Sequence, residues 1–176
     1  EQVEVVKGPG SAYTGRGSTG GSVNLVSKVA NIRPAYGFTL DLGTDRTKRA
    51  TADLNFPLAR LGLGDHSAFR LNLLAHDAGV AGRNVVENER WGVAPSVAFG
   101  LGRPTRLTLS YFHLQQNNIS DYGIPWVPAT NNVLVEFRDR PAPVPRETFY
   151  GFKNRDSEKM RSDLATVRFE HNFDDN

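Results

Sequence analysis

The chain has 176 residues, with 21 Lys and Arg against 19 Asp and Glu for a net charge of +2, and no cysteine. That length suits one domain, the near-balance of charge gives no footing for nucleic acid, and the lack of cysteine excludes a disulfide framework or a cysteine-ligated metal. No run of about 18 apolar residues exists to form a transmembrane helix. A negative mean hydropathy still leaves a membrane barrel open, because its strands alternate apolar and polar residues.

The first segment opens with a short β-branched strand, Val3 to Val6, and closes on a second, Ser22 to Val26. Between them lies a loop carrying Gly8, Gly10, Gly15, Gly17, Gly20 and Gly21, with Pro9 fixing one corner. Gly15 to Gly20 matches G-x-G-x-x-G, but a dinucleotide site needs that motif directly after a strand and opening a helix. Here a β pattern follows. A P-loop fails as well, since Arg16-Gly17 stands where Lys-Ser/Thr is required.

After a linker, residues 29–35, the pattern changes to period two. Tyr36, Phe38, Leu40 and Leu42 alternate with Gly37, Thr39 and Asp41. Ala50, Ala52, Leu54, Phe56 and Leu58 alternate with Thr51, Asp53 and Asn55. Phe69, Leu71, Leu73 and Ala75 alternate with Arg70, Asn72 and His76. Such alternation predicts strands with one apolar and one wet face. A connection at 79–88 leads to a fourth strand bearing Trp91, Val93, Val97 and Phe99, in which Pro95 predicts a local break in the ladder. Leu107, Leu109 and Tyr111 mark a fifth strand, and Val167, Phe169 and Phe173 a sixth over Asp163–Phe173. Between these last two runs a proline-rich connection, residues 117–161.

The connections alternate in character. Those at 44–48, 79–88 and 117–161 lie at one end and grow long, while those at 60–66 and 101–105 lie at the other and stay short. Outer-membrane barrels have this asymmetry, with short periplasmic turns and longer extracellular loops. Tyr36, Phe56, Phe69, Phe99 and Phe173 fall on the apolar face near the short-turn end, as a periplasmic girdle would. Shared parity predicts that Phe38, Leu40, Leu54, Leu71, Val97, Leu109 and Val167 face lipid. Asp53, Asn55, Asn72, Thr108 and Arg168 are expected to face the interior.

The string Val-Glu-Val-Val-Lys-Gly-Pro-Gly-Ser-Ala-Tyr-Thr-Gly-Arg-Gly-Ser-Thr-Gly-Gly-Ser-Val-Asn-Leu-Val-Ser-Lys, residues 3–28, resembles the end of the plug domain of TonB-dependent outer-membrane receptors. Thr14 departs from the pattern, separating Tyr13 from Gly15 where many members have Tyr-Gly adjacent. Ala68-Phe-Arg-Leu-Asn-Leu, Asp77-Ala-Gly-Val-Ala-Gly-Arg, Arg90-Trp-Gly-Val-Ala-Pro-Ser-Val-Ala-Phe-Gly-Leu-Gly and Gln115-Gln-Asn-Asn-Ile-Ser-Asp-Tyr-Gly-Ile-Pro resemble the early barrel of siderophore receptors, and of those the catecholate branch.

The resemblance implies an all-β fragment: the plug's end at 1–28, a linker at 29–35, and six antiparallel strands within 36–176, out of a barrel of about twenty-two. Six strands cannot close even the smallest membrane barrel. With Glu1 first and no signal peptide, the chain reads as an excerpt of a longer protein in the outer membrane of a Gram-negative bacterium. Its implied function is TonB-dependent uptake of a ferric siderophore of the catecholate type. The alternative is a non-transporting soluble β-module or adhesin-like barrel, in which the apolar face would be core.

The implied partners are a ferric siderophore, TonB and outer-membrane lipid, without nucleic acid. The siderophore carries the iron, so no cofactor or protein metal ligand is called for. His66, His76, His113 and His171 lack metal-ligand spacing. Neither a Ser/His/Asp set nor a paired-carboxylate set is present, so no catalytic residue is expected and the chain is not read as an enzyme. A catecholate complex is anionic and aromatic, and suits Arg and aromatic contacts. The long connection offers Tyr122, Trp126, Arg138, Arg140, Tyr150 and Lys153 as substrate contacts. The resemblance also makes Lys7 and Arg16 candidate plug cations, pairing with wall carboxylates on strands beyond this chain.

Overall fold

A computed structural model describes residues 2–10, 20–62 and 64–173. Among them ten strands form three antiparallel sheets, with two short 3-10 turns and no α-helix. Strands β1 (Gln2–Lys7) and β2 (Gly21–Val26) make a two-stranded ladder of their own. The middle of the glycine-rich loop, Arg16 included, lies outside the described residues.

The main sheet is a meander. Strands β3 (Ala35–Leu42), β4 (Lys48–Pro57), β5 (Ala68–Val80), β6 (Arg83–Phe99), β7 (Thr105–Ile119) and β10 (Ser157–His171) pair in chain order, leaving β3 and β10 at its two ends. The tiny strands β8 (Trp126–Val127) and β9 (Arg140–Pro141) pair with each other within the β7–β10 connection.

Residues directly opposed in an antiparallel ladder share a face, so the register sorts the side chains. Leu54 opposes Tyr36 and Leu71, Val97 opposes Phe69 and Leu109, and Leu109 opposes Val167. Asp53 opposes Asn72, Asn55 opposes Arg70, and Thr108 opposes Arg168. The division expected from parity is therefore the one the ladders make.

The apolar face is bare. Phe38 is 76 % exposed and Val167 72 %, which a soluble sandwich built on this face as its core would not permit. At the short-turn end Phe56 opposes Phe69, and the Tyr36 ring packs 5.3 Å from that of Phe56. Pro95 keeps its place opposite Leu71, while the β6–β7 ladder skips Ala94 and Pro95 without changing register. Pro95 lacks the N–H that the ladder would use.

Two connections differ from the sequence reading. The expected loop at 79–88 is strand almost throughout, closed by a tight turn at Ala81-Gly82. The long connection runs over 120–156 rather than 117–161, because β7 continues to Ile119 and β10 begins at Ser157. Fifteen residues at about 3.3 Å each span about 50 Å, well beyond a hydrocarbon layer of about 30 Å even when tilted. The extra length stands clear of the apolar band, and there both faces are polar.

Candidate functional site

Two places join the wall to other parts of the chain, one at each end of the sheet. At the short-turn end, residues 28–33 cross the polar face of the main sheet. Lys28 Nζ lies 2.9 Å from Asp53 Oδ2, and Arg70 grips the same carboxylate through Nε and Nη2, each at 2.7 Å. Arg70 also donates to the Val29 carbonyl at 3.1 Å. One carboxylate thus serves two cations, with the forked guanidinium geometry that favours arginine.

Asn55 is fully buried beside them. Its amide donates to the carbonyls of Asn31 and Arg33, each at 2.7 Å, and its Oδ1 accepts the Asn31 N–H at 3.1 Å. The Ala30 N–H donates to Ser96 Oγ at 2.9 Å, and Ala30 closes a small apolar contact with Ala68 and Ala98. Small residues here let the crossing segment lie flat on the sheet. Beside it an open cleft of about 480 Å³ is lined by Lys28, Thr39, Arg49, Asp53, Asn72 and Phe112 among others. The polar face is hence the covered one and the apolar face the bare one.

At the opposite end the 120–156 connection leans on the tip of the β5–β6 hairpin. Arg83, whose side chain is only 7 % exposed, reaches Asp121 Oδ1 at 2.6 Å and donates to the carbonyls of Gly123, at 3.2 Å, and Arg146. The Asn84 N–H donates to the Glu147 carbonyl at 2.7 Å. Asp121 also accepts the Gly123 N–H at 2.8 Å, and that bond, with Arg83 alongside, holds its carboxyl below the usual carboxylate range. Asp156, at the other end of the connection, is lowered in the same way by the Phe152 N–H and by Arg155.

No family model matches the chain. Relatives do. Over its whole length the chain is 41 % identical to the probable TonB-dependent siderophore receptor PiuA of Acinetobacter baumannii, of which it spans 23 %. It is 38 % identical, again over its whole length, to the catecholate siderophore receptor Fiu of Escherichia coli K12, spanning 23 % of it. The crystal structure of the ferric-catecholate import receptor Fiu in its open form matches all of this chain and 26 % of that one, with a TM-score of 0.86 at 38 % identity. The chain belongs to the TonB-dependent siderophore receptor family.

Membership places it in the Gram-negative outer membrane and sets aside the soluble or adhesin-like alternative. These relatives are receptors rather than enzymes. The chain spans about a quarter of the length of the relatives it matches.

Within this receptor segment the six candidate contact residues do not form one group. Tyr122 and Trp126 are 63 % and 61 % exposed. Arg140 and Lys153 are exposed too. Arg138, also exposed, is tied back to its own loop, donating to the Asn131 carbonyl at 2.7 Å and Asn132 Oδ1 at 3.3 Å. The Tyr150 hydroxyl is spent on the Pro145 carbonyl at 2.7 Å. Of the plug cations, Lys7 is exposed opposite Gly21.

The sequence reading placed Asn55 on the interior face without giving it a role, and it missed Lys28 and Arg83. Lys28 closed the resembling string and Arg83 closed the second barrel string, so both stood at the edge of what was noticed. Neither edge position reveals a partner 25 or 38 residues away.

Proposed function

We propose that the chain is the end of the plug and the first six wall strands of a receptor that takes up a ferric siderophore of the catecholate type, driven by TonB. The observation that supports this most directly is the 38–41 % identity along the chain to siderophore receptors, one of them a catecholate siderophore receptor. The wall geometry agrees with it. A bare apolar face meets lipid, a covered polar face carries the segment that follows the plug, and the long connection opens at the exterior end.

Iron travels inside the siderophore and needs no ligand from the protein. The wall and the 120–156 connection supply exposed aromatics and cations that suit an anionic, aromatic guest. Tyr122 and Trp126 are the side chains best placed to stack on it, with Arg140 and Lys153 supplying charge. A guest held at nanomolar affinity sits about 12 kcal/mol down a well. The outer membrane has no nucleotide fuel to lift it out, which is why an energised partner such as TonB is required.

The test is direct. Cells expressing the full-length receptor as their sole iron-siderophore receptor are given radioactive iron as a ferric tris-catecholate complex, or as a ferric hydroxamate for comparison. Uptake of the catecholate alone, abolished when TonB is deleted, is the expected result. Uptake of the hydroxamate in its place overturns the substrate class, and uptake independent of TonB overturns the mechanism.

A further inference from the structure

The 120–156 connection is organised as a lobe on a neck. Inside the lobe, β8 pairs with β9, the Asp139 N–H donates to the Val127 carbonyl at 2.9 Å, and the Ala142 N–H donates to that of Pro125 at 2.8 Å. Val127 is 3 % exposed, the lobe's own small core. Arg138 and Asn131 tie the far end, where Asn131 Oδ1 accepts the N–H groups of Val133 and Leu134. These bonds stay within the lobe.

The neck is held differently. Arg83 binds the incoming strand of the neck through Asp121 and Gly123, and the outgoing strand through the Arg146 carbonyl. Its neighbour Asn84 adds the bond to Glu147. One side chain on the wall therefore joins two points of the connection that are more than twenty residues apart in sequence.

The hairpin is deformed where this happens. The β5–β6 register slips between Gly79 and Val80, producing a bulge. Val85 within it adopts φ 73°, a left-handed conformation that a β-branched residue rarely occupies. Bulges re-aim side chains, and this one presents Arg83 and the Asn84 N–H side by side to the neck.

We propose that Arg83 is the positioning residue of the exterior lobe, clamping both strands of its neck to the β5–β6 hairpin so that the lobe carrying Trp126 is presented in one orientation above the barrel. The proposal concerns the same loop as the siderophore reading and adds what aims it. Arginine is required because three acceptors diverge around it, and an ammonium cannot fork among them. Asp121 completes the clamp, since it accepts from Arg83 and from the Gly123 N–H together.

The test uses the full-length receptor with nitroxide labels at Val133→Cys on the lobe and Leu42→Cys on the wall. No cysteine of this segment competes, and any elsewhere in the receptor are replaced. The distance between labels is expected to be narrowly distributed in the parent. Arg83→Ala should broaden it and speed proteolysis within the lobe at least about tenfold, the factor that loss of one charge-assisted hydrogen bond implies. Arg83→Met, which fills similar space without a donor, should broaden it as Arg83→Ala does, whereas Arg83→Lys should restore part of the narrowing through Asp121.

Barrel folding is checked by heat-modifiable migration on gels. Should Arg83→Ala fail to fold, Asp121→Asn carries the same test without removing the guanidinium. An unchanged distribution in a folded Arg83→Ala or Asp121→Asn receptor overturns the clamp. Titration with ferric tris-catecholate on the same proteins separates the two readings: a parent that fails to bind counts against the substrate, while the label distances still decide the clamp.

Discussion

The two anchorages on the wall solve one problem by different chemistry. At the short-turn end, residues 28–33 are held by a neutral, fully buried amide, Asn55, by close alanine packing, and by a carboxylate with two cations. At the exterior end the neck of the 120–156 connection hangs on one guanidinium and backbone carbonyls. The first anchorage shields its bonds under a flat segment, where removing a partner orphans several groups at once. The second stands at the edge of the structure, where water competes and a single ionisation matters. The contrast teaches that the linker is built to stay and the lobe to be aimed.

The contrast depends on which face is wet, and the largest expected effect tests that. Leu73→Arg places a cation on the bare face, four residues beyond the girdle residue Phe69 toward the middle of the apolar band, and should destabilise the barrel by about 2–4 kcal/mol, read from urea unfolding in lipid. Labelling of single cysteines from the lipid phase should reach position 54 and spare position 55; the opposite pattern reverses the register.

Next in size is the inner anchorage itself. Asn55→Leu leaves the Asn31 N–H and the carbonyls of Asn31 and Arg33 without their partners, at a cost of about 2 kcal/mol. Hydrogen exchange at Asn31 should rise strongly while exchange at Asn84 stays as it was. A rise at both would show that the two anchorages are one cooperative unit.

Deleting 127–155 removes most of the lobe and leaves the ladder of the wall intact. Siderophore affinity should fall at least about tenfold, or about 1.4 kcal/mol, with the barrel still folded. Equal affinity for intact and shortened receptor would reduce the lobe to a surface feature.

The smallest effect is acid release of the neck. The folded carboxyl of Asp121 lies below its ordinary value. Its contribution is therefore complete above the unfolded pKa of about 3.9 and is lost as pH falls through the lowered value. Protease nicking of the lobe should stay level from neutrality to about pH 4 and rise below it, and Asp121→Asn should raise the neutral rate and flatten the profile.

Much of this was legible in the residues. Alternation at period two separated Leu54 from Asp53 and Asn55, and the glycine-rich string at 3–28 pointed to the family. Both signals are local: a strand crossing from lipid to lumen must alternate, and a plug's closing loop needs its glycines at fixed spacing. The strand ends were not legible. Beyond the lipid, as at Glu87–Arg90 and Gln115–Asn118, both faces meet water and the alternation vanishes while the backbone ladder continues. The anchorages were hidden for another reason. Nothing near Asn55 names Asn31, and nothing near Arg83 names Asp121 or Arg146, because those pairings exist only once the sheet brings distant segments together. Sequence alone determined which side of each strand is apolar, since burial in lipid is decided residue by residue. Tertiary structure alone decided what Lys28, Asn55 and Arg83 hold, since a hydrogen bond depends on where two chains of atoms meet.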